Sequence, residues 1–264
     1  MKRVHSAGSN GLNYNLYEGE LEDISLDSKT TINTINQYSY CIAKKDLEFQ
    51  ESLRDSDVLL PDGEGVVFAE RFLTGKKLQK ISGTDVHLHL LKRLNDRSGR
   101  CFYLGSSTKT LQKIQAKISI EYPQIEVGYF SPPFKVVFSE EDNNEMIEAI
   151  NSFAPDALFI GLTAPKQEKL SYQLKSRLNV KIICAIGAVF DFYSETIKRP
   201  NKILINLKLE WLGRLVTNPR KMWKRYLYYG PIYIYFILKI KFHGGSYNRF
   251  LDRSQLYTRR TQTP

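Results

Sequence analysis

Residues 157–170 read ALFIGLTAPKQEKL, and this stretch indicates the class of fold. A short apolar run from Ala157 to Ile160 predicts a strand, a glycine follows it, and a helical pattern begins at Lys166. Two further stretches repeat this strand-to-helix step, LGSSTKT at 104–110 and AIGAVFDF at 185–192. Short apolar strands that alternate with longer helical patterns predict an α/β domain with a mainly parallel sheet.

The remaining elements follow from the same alternation along the chain. Strands are predicted at Asp57–Leu60, Arg100–Leu104, Ala157–Ile160 and Lys181–Ile186. Helices are predicted at Asn36–Leu53, Gly65–Phe72, Asp85–Asn95, Lys109–Glu121, Asp142–Phe153 and Lys166–Leu178. In open α/β sheets, ligands bind beyond the carboxyl ends of the strands, where helix N-termini point at phosphates. The three glycine-containing strand ends therefore favour a phosphate-bearing ligand, although tight strand-to-helix turns need the same small residues.

Composition and charge narrow the class of protein further. The chain has 264 residues, 42% of them hydrophobic, which excludes collagen-like and wholly disordered proteins. Residues 198–264 hold 15 Lys and Arg against two acidic residues, whereas the preceding residues hold 23 basic and 26 acidic ones. A strongly basic tail on a mildly acidic body indicates an anionic partner: nucleic acid, a phosphorylated substrate or an anionic membrane.

The three cysteines and the N-terminus indicate the compartment. Cys41, Cys101 and Cys184 form no C-x-x-C, which argues against a disulfide framework and a cysteine-based zinc site. The first 15 residues contain no apolar signal-peptide core, and no run of about 20 apolar residues predicts a transmembrane helix. We therefore expect a protein that stays in the cytoplasm.

The C-terminal third differs in composition from the rest of the chain. A helix is predicted at Leu207–Trp223, and residues 225–242 read RYLYYGPIYIYFILKIKF, with an apolar core interrupted at Gly230-Pro231. Aromatic side chains beside basic ones suit the interface between lipid headgroups and acyl chains. A last helix that packs on the core or in a homo-oligomer interface is the alternative. We expect a catalytic α/β domain at 1–200, a membrane-docking appendage at 201–245 and a mobile tail at 246–264.

Two acidic motifs differ in their position relative to one predicted strand. The D-x-D at Asp55–Asp57 precedes the apolar run, at the wrong strand end for a ligand site, and indicates a solvated turn. Asp62 follows the same run at the ligand end, although Pro-Asp-Gly is also a common turn sequence. Thr34 and Asn36 fit an uncharged hydrogen-bonding pair near a helix start, or an N-cap. The four histidines form no metal set, and no H-E-x-x-H, G-x-S-x-G or Walker A sequence occurs.

Seven motifs occur in order over residues 31 to 228: TINTINQYSY, LLPDGEGVVFAERFL, ISGTDVH, YLGSS, APDALFIGLTAPKQEKL, AIGAVFDFY and LEWLGRLVTNPRKMWKRYL. Together they resemble the WecG/TagA/CpsF family of bacterial glycosyltransferases, for which P-K-Q-E and L-E-W-L-x-R-L are specific. The resemblance implies a Rossmann-like, mainly parallel sheet flanked by helices, with a basic helical C-terminal appendage that also completes the active site.

The resemblance also implies a reaction. A sugar of N-acetylmannosamine, glucose or uronate type would move, with inversion and without metal or cofactor, from a UDP-sugar donor to a polyprenyl-pyrophosphate-linked acceptor sugar. The implied setting is capsule, exopolysaccharide, O-antigen or teichoic acid synthesis at the inner face of the cell membrane, with no nucleic-acid partner. The GLTAPKQEK form is more similar to capsule and exopolysaccharide members. The rivals are an epimerase or hydrolase that uses a nucleotide sugar, and a basic-tailed lipid- or RNA-binding module without turnover.

Individual residues receive roles from the same resemblance. Asp62 would be the general base, a role that typically contributes about 10²–10⁴-fold. Thr34 and Asn36 would line its pocket. Gln167 would position sugar or diphosphate, and Arg214 would stabilise the leaving UDP. The further substrate-binding residues would be Gly83, Asp85, Gly105, Ser106, Gly161, Pro165, Lys166, Glu168, Gly187, Arg220, Lys221, Lys224 and Arg225.

Two departures from the family pattern bear on these roles. The family favours arginine where Lys221 and Lys224 stand, and lysine lacks the bidentate fork, so these two fit either diphosphate or anionic lipid. Residues 194–201 read SETIKRPN where the family commonly reads A-G-T-x-K-R-A-P. The second departure concerns the loop beside the donor sugar, so the identity of that sugar is the least constrained part of the resemblance.

Overall fold

The computed structural model of the chain describes residues 11–25, 27–196 and 210–242. Within these ranges one six-stranded, wholly parallel sheet has the strand order β2-β1-β6-β5-β3-β4. Its strands are β1 (Thr30–Ile35), β2 (Val58–Pro61), β3 (Arg100–Gly105), β4 (Glu126–Phe130), β5 (Ala157–Gly161) and β6 (Ile182–Ala185). The predicted α/β class with a parallel sheet is therefore confirmed.

Helices connect the strands and cover both faces of the sheet. They are α1 (Gln37–Ala43), α2 (Leu47–Arg54), α3 (Glu64–Thr74), α4 (Gly83–Asn95), α5 (Thr108–Glu121), α6 (Glu140–Phe153), α7 (Lys166–Leu174) and α8 (Val189–Tyr193). Alternate residues of each strand point to opposite faces. Cys101 and Tyr103 pack with α4, α5 and α8, whereas Phe102 and Leu104 pack with α6 and α7. A third buried cluster joins α1, α2 and α3 to the N-terminal segment and the last helix.

The four predicted strands are present, but β1 and β4 were not predicted. The β1 sequence TTINTI is rich in polar residues. Its Asn33 is fully buried, and the Asn33 amide nitrogen donates to Ser56 Oγ at 2.8 Å. Strand β4 is a partly exposed edge strand. The prediction of a single helix at 36–53 is wrong, because this segment forms two helices, α1 and α2. Asp46 separates them: it is the N-cap of α2, and its carboxylate accepts from Phe49 N at 3.1 Å. The helix predicted to end at Leu178 ends at Leu174.

The C-terminal segment consists of consecutive short helices rather than one long one. Helices α9 (Glu210–Thr217) and α10 (Pro219–Trp223) are separated at Asn218, because the residue before a proline is pushed out of the helical region. A π-helical turn, Lys224–Tyr228, follows, and residues 229–242 form α11. Helix α11 runs through Gly230 and Pro231, which interrupt the apolar sequence but not the helix. Pro231 has no backbone N–H, so it gives no α-helical hydrogen bond to the carbonyl of Leu227, four residues earlier. Leu227 lies inside the π-helical turn.

One face of α11 packs on the core, as the alternative interpretation proposed. Tyr233 and Ile237 are buried, the Tyr233 hydroxyl donates to Gly65 O at 3.3 Å, and the Tyr233 ring meets that of Tyr40 edge-on at 5.4 Å. The opposite face exposes large apolar side chains, at Ile234, Tyr235, Leu238 and Phe242. No helix in the described ranges is long and apolar enough to cross a membrane. The predicted boundaries at 200 and 245 and the tail 246–264 lie outside the described residues.

Candidate active site

A cleft of about 1390 Å³ opens at the carboxyl edge of the sheet. The strand register aligns the strand ends there, because Ile35 pairs with Pro61 and Gly105 pairs with Gly161. Twelve of the residues assigned from the sequence line this cleft: Thr34, Asn36, Asp62, Ser106, Gly161, Pro165, Lys166, Gln167, Glu168, Gly187, Arg214 and Arg225. Helices α9 and α10 close one side of it, through Arg214, Thr217, Asn218 and Met222.

Asp62 is the first residue after β2, and its backbone N–H donates to Ile35 O at 2.9 Å, which fixes it beside the end of β1. Its half-buried carboxylate makes no hydrogen bond or ion pair with any residue of the described ranges. Burial raises the pKa of Asp62 from 3.8 to about 6; Arg214 and Lys80 act in the opposite direction, while Glu210 and Asp85 add to the increase. An unpartnered carboxylate whose pKa lies near neutrality suits a general base.

Thr34 and Asn36 stand beside Asp62 at the end of β1. Thr34 pairs in register with Leu60, and Asn36 is the N-cap of α1. Asn36 Oδ1 accepts from Ser39 N at 3.0 Å and from Ser39 Oγ at 2.9 Å, so the N-cap interpretation is confirmed. Because the cap uses only the carbonyl oxygen, the Asn36 amide nitrogen is left as a hydrogen-bond donor at the wall of the cleft.

Gln167 and Glu168 form a buried polar pair at the start of α7. Gln167 Nε2 donates to Glu168 Oε1 at 2.9 Å, while Gln167 Oε1 and Glu168 Oε2 are buried without a hydrogen-bond partner in the described residues. Burial raises the pKa of Glu168 to about 7, against the effects of Gln167 and Arg225. Because both side chains are almost fully inaccessible, they belong to the floor of the cleft rather than to its open wall.

Close packing accounts for the glycines at the strand ends. Gly105 has φ +115°, and a Cβ there would lie 2.6 Å from the Gly161 carbonyl oxygen. Gly187 has φ +34°, and a Cβ there would lie 2.6 Å from Gln167 Oε1. A Cβ at Gly161 would overlap the ring of Phe190. Contacts within the protein therefore account for all three glycines. Their predicted role, close approach of the backbone to a nucleotide, stays a prediction.

The basic residues assigned from the sequence separate into two groups. Arg214 and Arg225 face the cleft: Arg214 pairs with Glu210 at 2.6 Å and lies over the Phe192 ring at 5.0 Å, and Arg225 lies over the Tyr38 ring at 4.7 Å. Arg220 and Lys224 are exposed and do not line the cleft. Lys221 lies in α10, but its side chain is outside the described residues.

Three other assigned residues also lie outside the lining of the cleft. Gly83 begins α4, and a Cβ there would lie 3.2 Å from Val189. The carboxylate of Asp85 caps α4 by accepting from Ser82 N at 2.8 Å. Gly105 ends β3 behind the cleft wall.

The D-x-D sequence lies at the opposite edge of the sheet from Asp62. Asp57 accepts from Thr31 N at 2.9 Å, just before β2 begins, and Asp55 pairs with Lys175. This placement agrees with a structural turn. Within the described residues, no group of three or more His, Cys, Asp or Glu side chains is arranged to hold a metal ion.

Sequence reasoning missed two charged residues and one loop of the site. Lys80 and Glu210 form an ion pair at 3.2 Å near Asp62, and only tertiary structure brings these residues together. The loop 131–138 after β4 lines the cleft, with Phe134 and Val136 almost fully exposed at its rim. Its sequence SPPFKVVF lacks the glycine step that marked the other strand ends.

Comparison with known proteins identifies the family of the chain. The model of the glycosyl transferase WecG/TagA/CpsF family matches residues 12–246. An N-acetylglucosaminyldiphosphoundecaprenol N-acetyl-beta-D-mannosaminyltransferase of Bacillus subtilis is 32% identical over 209 residues, 78% of this chain and 79% of the relative. Proteins of the same name from Bacillus spizizenii and Staphylococcus aureus are 30% and 25% identical, over 75% and 73% of this chain and 74% and 73% of the relatives. The chain is therefore a glycosyltransferase and belongs to the WecG/TagA/CpsF family, as its motifs predicted.

Proposed function

We propose that the chain transfers a sugar of N-acetylmannosamine type from UDP to the N-acetylglucosamine of a polyprenyl-diphosphate-linked acceptor. The unpartnered carboxylate of Asp62, at the carboxyl edge of the sheet and inside the cleft, carries this proposal. The relatives from Bacillus subtilis and Bacillus spizizenii, whose names specify this acceptor and this sugar, support the choice of substrates.

The proposed reaction is a single inverting displacement. The acceptor hydroxyl oxygen forms a bond to C1 of the donor sugar while the C1–O bond to UDP breaks and UDP leaves with the electron pair. Asp62 accepts the hydroxyl proton, and the products are a lipid-linked disaccharide and UDP. Because the carboxylate must be ionised to accept the proton, its raised pKa places the lower limit of activity near pH 6.

The negative charge that develops on the leaving diphosphate needs cations in the cleft. Arg214 and Arg225 both line it, and the buried Nε of Arg214 has no hydrogen-bond partner in the described ranges. Preorganised cations in a partly desolvated site stabilise such charge strongly. We assign this role to these arginines in a reaction that does not depend on a metal ion.

The exposed face of the C-terminal segment supports docking on a membrane surface. Trp223, Leu227 and Tyr228 are about half exposed beside the exposed Arg220 and Lys224. Aromatic rings with adjacent basic groups suit the headgroup interface of an anionic bilayer, where each basic residue contributes about 1 kcal/mol. This arrangement would bring α9 and α10, which close the cleft, to the surface from which the lipid-linked acceptor comes. The residues beyond about 200 are thus proposed to form the docking appendage of an envelope-polysaccharide enzyme at the inner membrane face.

A donor panel tests the proposal. UDP release is measured with UDP-N-acetylmannosamine, UDP-N-acetylglucosamine, UDP-glucose and UDP-glucuronate, with and without N-acetylglucosaminyl-diphosphoprenol in detergent micelles, and with and without EDTA. The expected result is acceptor-dependent release with the N-acetylmannosamine donor that EDTA does not reduce, and a product of inverted anomeric configuration. Release abolished by EDTA would contradict metal independence. Absence of release with every donor would refute the proposed donor and acceptor.

A further inference from the structure

Glu210 connects two cations that flank Asp62. It begins α9, is 9% exposed, and its carboxylate pairs with Arg214 at 2.6 Å and with Lys80 at 3.2 Å. Arg214 lies one turn further along α9, whereas Lys80 lies in the segment between α3 and α4. Both ion pairs are largely shielded, with side-chain exposures of 12% for Glu210, 20% for Lys80 and 26% for Arg214.

Neither of these cations pairs with Asp62, although both act on it electrostatically. Arg214 and Lys80 are the two cations that lower the pKa of Asp62, yet each forms its ion pair with Glu210. Within the part of the chain that is described, the Asp62 carboxylate therefore accepts no hydrogen bond and forms no ion pair. Of the two carboxylates, Glu210 and Asp62, Glu210 is the one that pairs with both cations.

This distribution matters because an aspartate that pairs with arginine is a poor base. An opposite charge within about 4–6 Å lowers a carboxyl pKa by about 1–3 units, and the ion pair occupies the oxygen that must accept the proton. Because Glu210 takes the ion pairs of both cations, neither occupies an Asp62 oxygen in the described residues.

We propose that Glu210 is a positioning residue that holds Arg214 and Lys80 away from Asp62, so that Asp62 stays available to accept the proton of the acceptor hydroxyl. The proposal rests on the role of Asp62 as base. The proposal also gives the C-terminal appendage a second role, because Glu210 of α9 would keep Asp62, which follows β2, free of ion pairs.

The charged and titratable groups that face Asp62 determine the sign of the expected effects. They are Arg214, Glu210 and Tyr226 from the C-terminal segment, Lys80 from the segment before α4, and Asp85 from α4. Asp85 is engaged as the α4 cap. Burial raises the pKa of Tyr226, so this side chain is neutral across the working range. Loss of the Glu210 charge therefore lowers the pKa of Asp62, and loss of the Lys80 charge raises it.

The test is the pH profile of kcat/KM for acceptor-dependent UDP release by the full-length wild type, Glu210→Gln and Lys80→Met. For Glu210→Gln we expect the acidic limb to move down by about one pH unit and the plateau to fall at least about tenfold. For Lys80→Met we expect the acidic limb to move up. Glu126→Gln, which removes an exposed ion pair with Arg100 far from the cleft, is the matched control and should leave the profile unchanged.

Two outcomes would overturn the proposal. In Glu210→Gln, a loss of kcat/KM that is equal at every pH, with the acidic limb unmoved, would show that Glu210 supports the structure and does not affect Asp62. An acidic limb that moves in the same direction in Glu210→Gln and Lys80→Met would also contradict the proposal. If thermal unfolding shows that Glu210→Gln does not fold, the direction of the limb in Lys80→Met decides alone. A wild type without UDP release would instead refute the proposed function itself.

Discussion

Replacing Asp62 by Asn should slow the reaction by about 10²–10⁴-fold and at the same time stabilise the protein above pH 6. The folded-state pKa of Asp62, about 6, lies above its ordinary value of 3.8 because burial disfavours the charged form. The ionised carboxylate is thus less favourable in the folded protein than in the unfolded chain. This destabilisation is absent below about pH 3.8, develops as the pH rises between the two pKa values, and is complete above about pH 6.

The size of the gain follows from the same shift. A difference of roughly two pKa units corresponds to about 3 kcal/mol, and solvent access to the half-buried carboxylate reduces this to about 1–2 kcal/mol. For a chain of this length, that free energy raises Tm by about 2–8 °C. We therefore expect Asp62→Asn to melt at a higher temperature than the wild type at pH 8 and at nearly the same temperature at pH 4.

Thermal unfolding of both proteins at pH 4 and pH 8 checks this prediction. The exposed Asp96→Asn serves as the control and should melt at the same temperature as the wild type at both pH values. If Asp62→Asn melts at the same temperature as the wild type at pH 8, or at a lower one, the ionised Asp62 carboxylate does not destabilise the folded protein and the reasoning is refuted.

Three further predictions follow from the structure. Arg214→Lys should lower kcat by about 10–100-fold, because lysine keeps the charge but loses the planar fork, and steady-state UDP release would show it. Gly105→Ala should lower the free energy of unfolding by at least about 1 kcal/mol in a urea titration, since φ is +115° and the new Cβ meets a backbone carbonyl. Tyr233→Ala should cost about 3–5 kcal/mol of stability, whereas the exposed Tyr235→Ala should leave stability unchanged and weaken binding to anionic vesicles in a sedimentation assay.

Much of the fold was predictable because most strands of this sheet are buried on both faces. Such strands are apolar throughout and are bounded by glycine or polar turns, as at 100–105 and 157–161. Strand β1 escaped prediction because its buried Asn33 donates its amide N–H to Ser56, a partner 23 residues away that no local pattern reveals. Likewise, the breaks in the C-terminal helices depend on proline geometry and packing rather than on apolar periodicity.

The candidate site was predictable only in part. Asp62 could be placed because it follows a predicted strand, and the carboxyl ends of parallel strands meet at one edge of the sheet. Asn36 was predicted near a helix start, where it is the N-cap of α1. The pairing of Lys80 with Glu210 joins residues 130 positions apart, so only the docking of α9 on the sheet domain creates it. The buried positions of Gln167 and Glu168 also needed the tertiary structure.

The pH dependence of acceptor-dependent UDP release, compared between the wild type and Asp62→Asn, tests the central claim most directly. For the wild type we predict a rate that rises about tenfold from pH 5 to pH 7, with an apparent pKa near 6. Asp62→Asn should be slower by about 10²–10⁴-fold at pH 7 and should lack this rise. A variant that retains the same acidic limb, or most of the activity, would show that Asp62 is not the base.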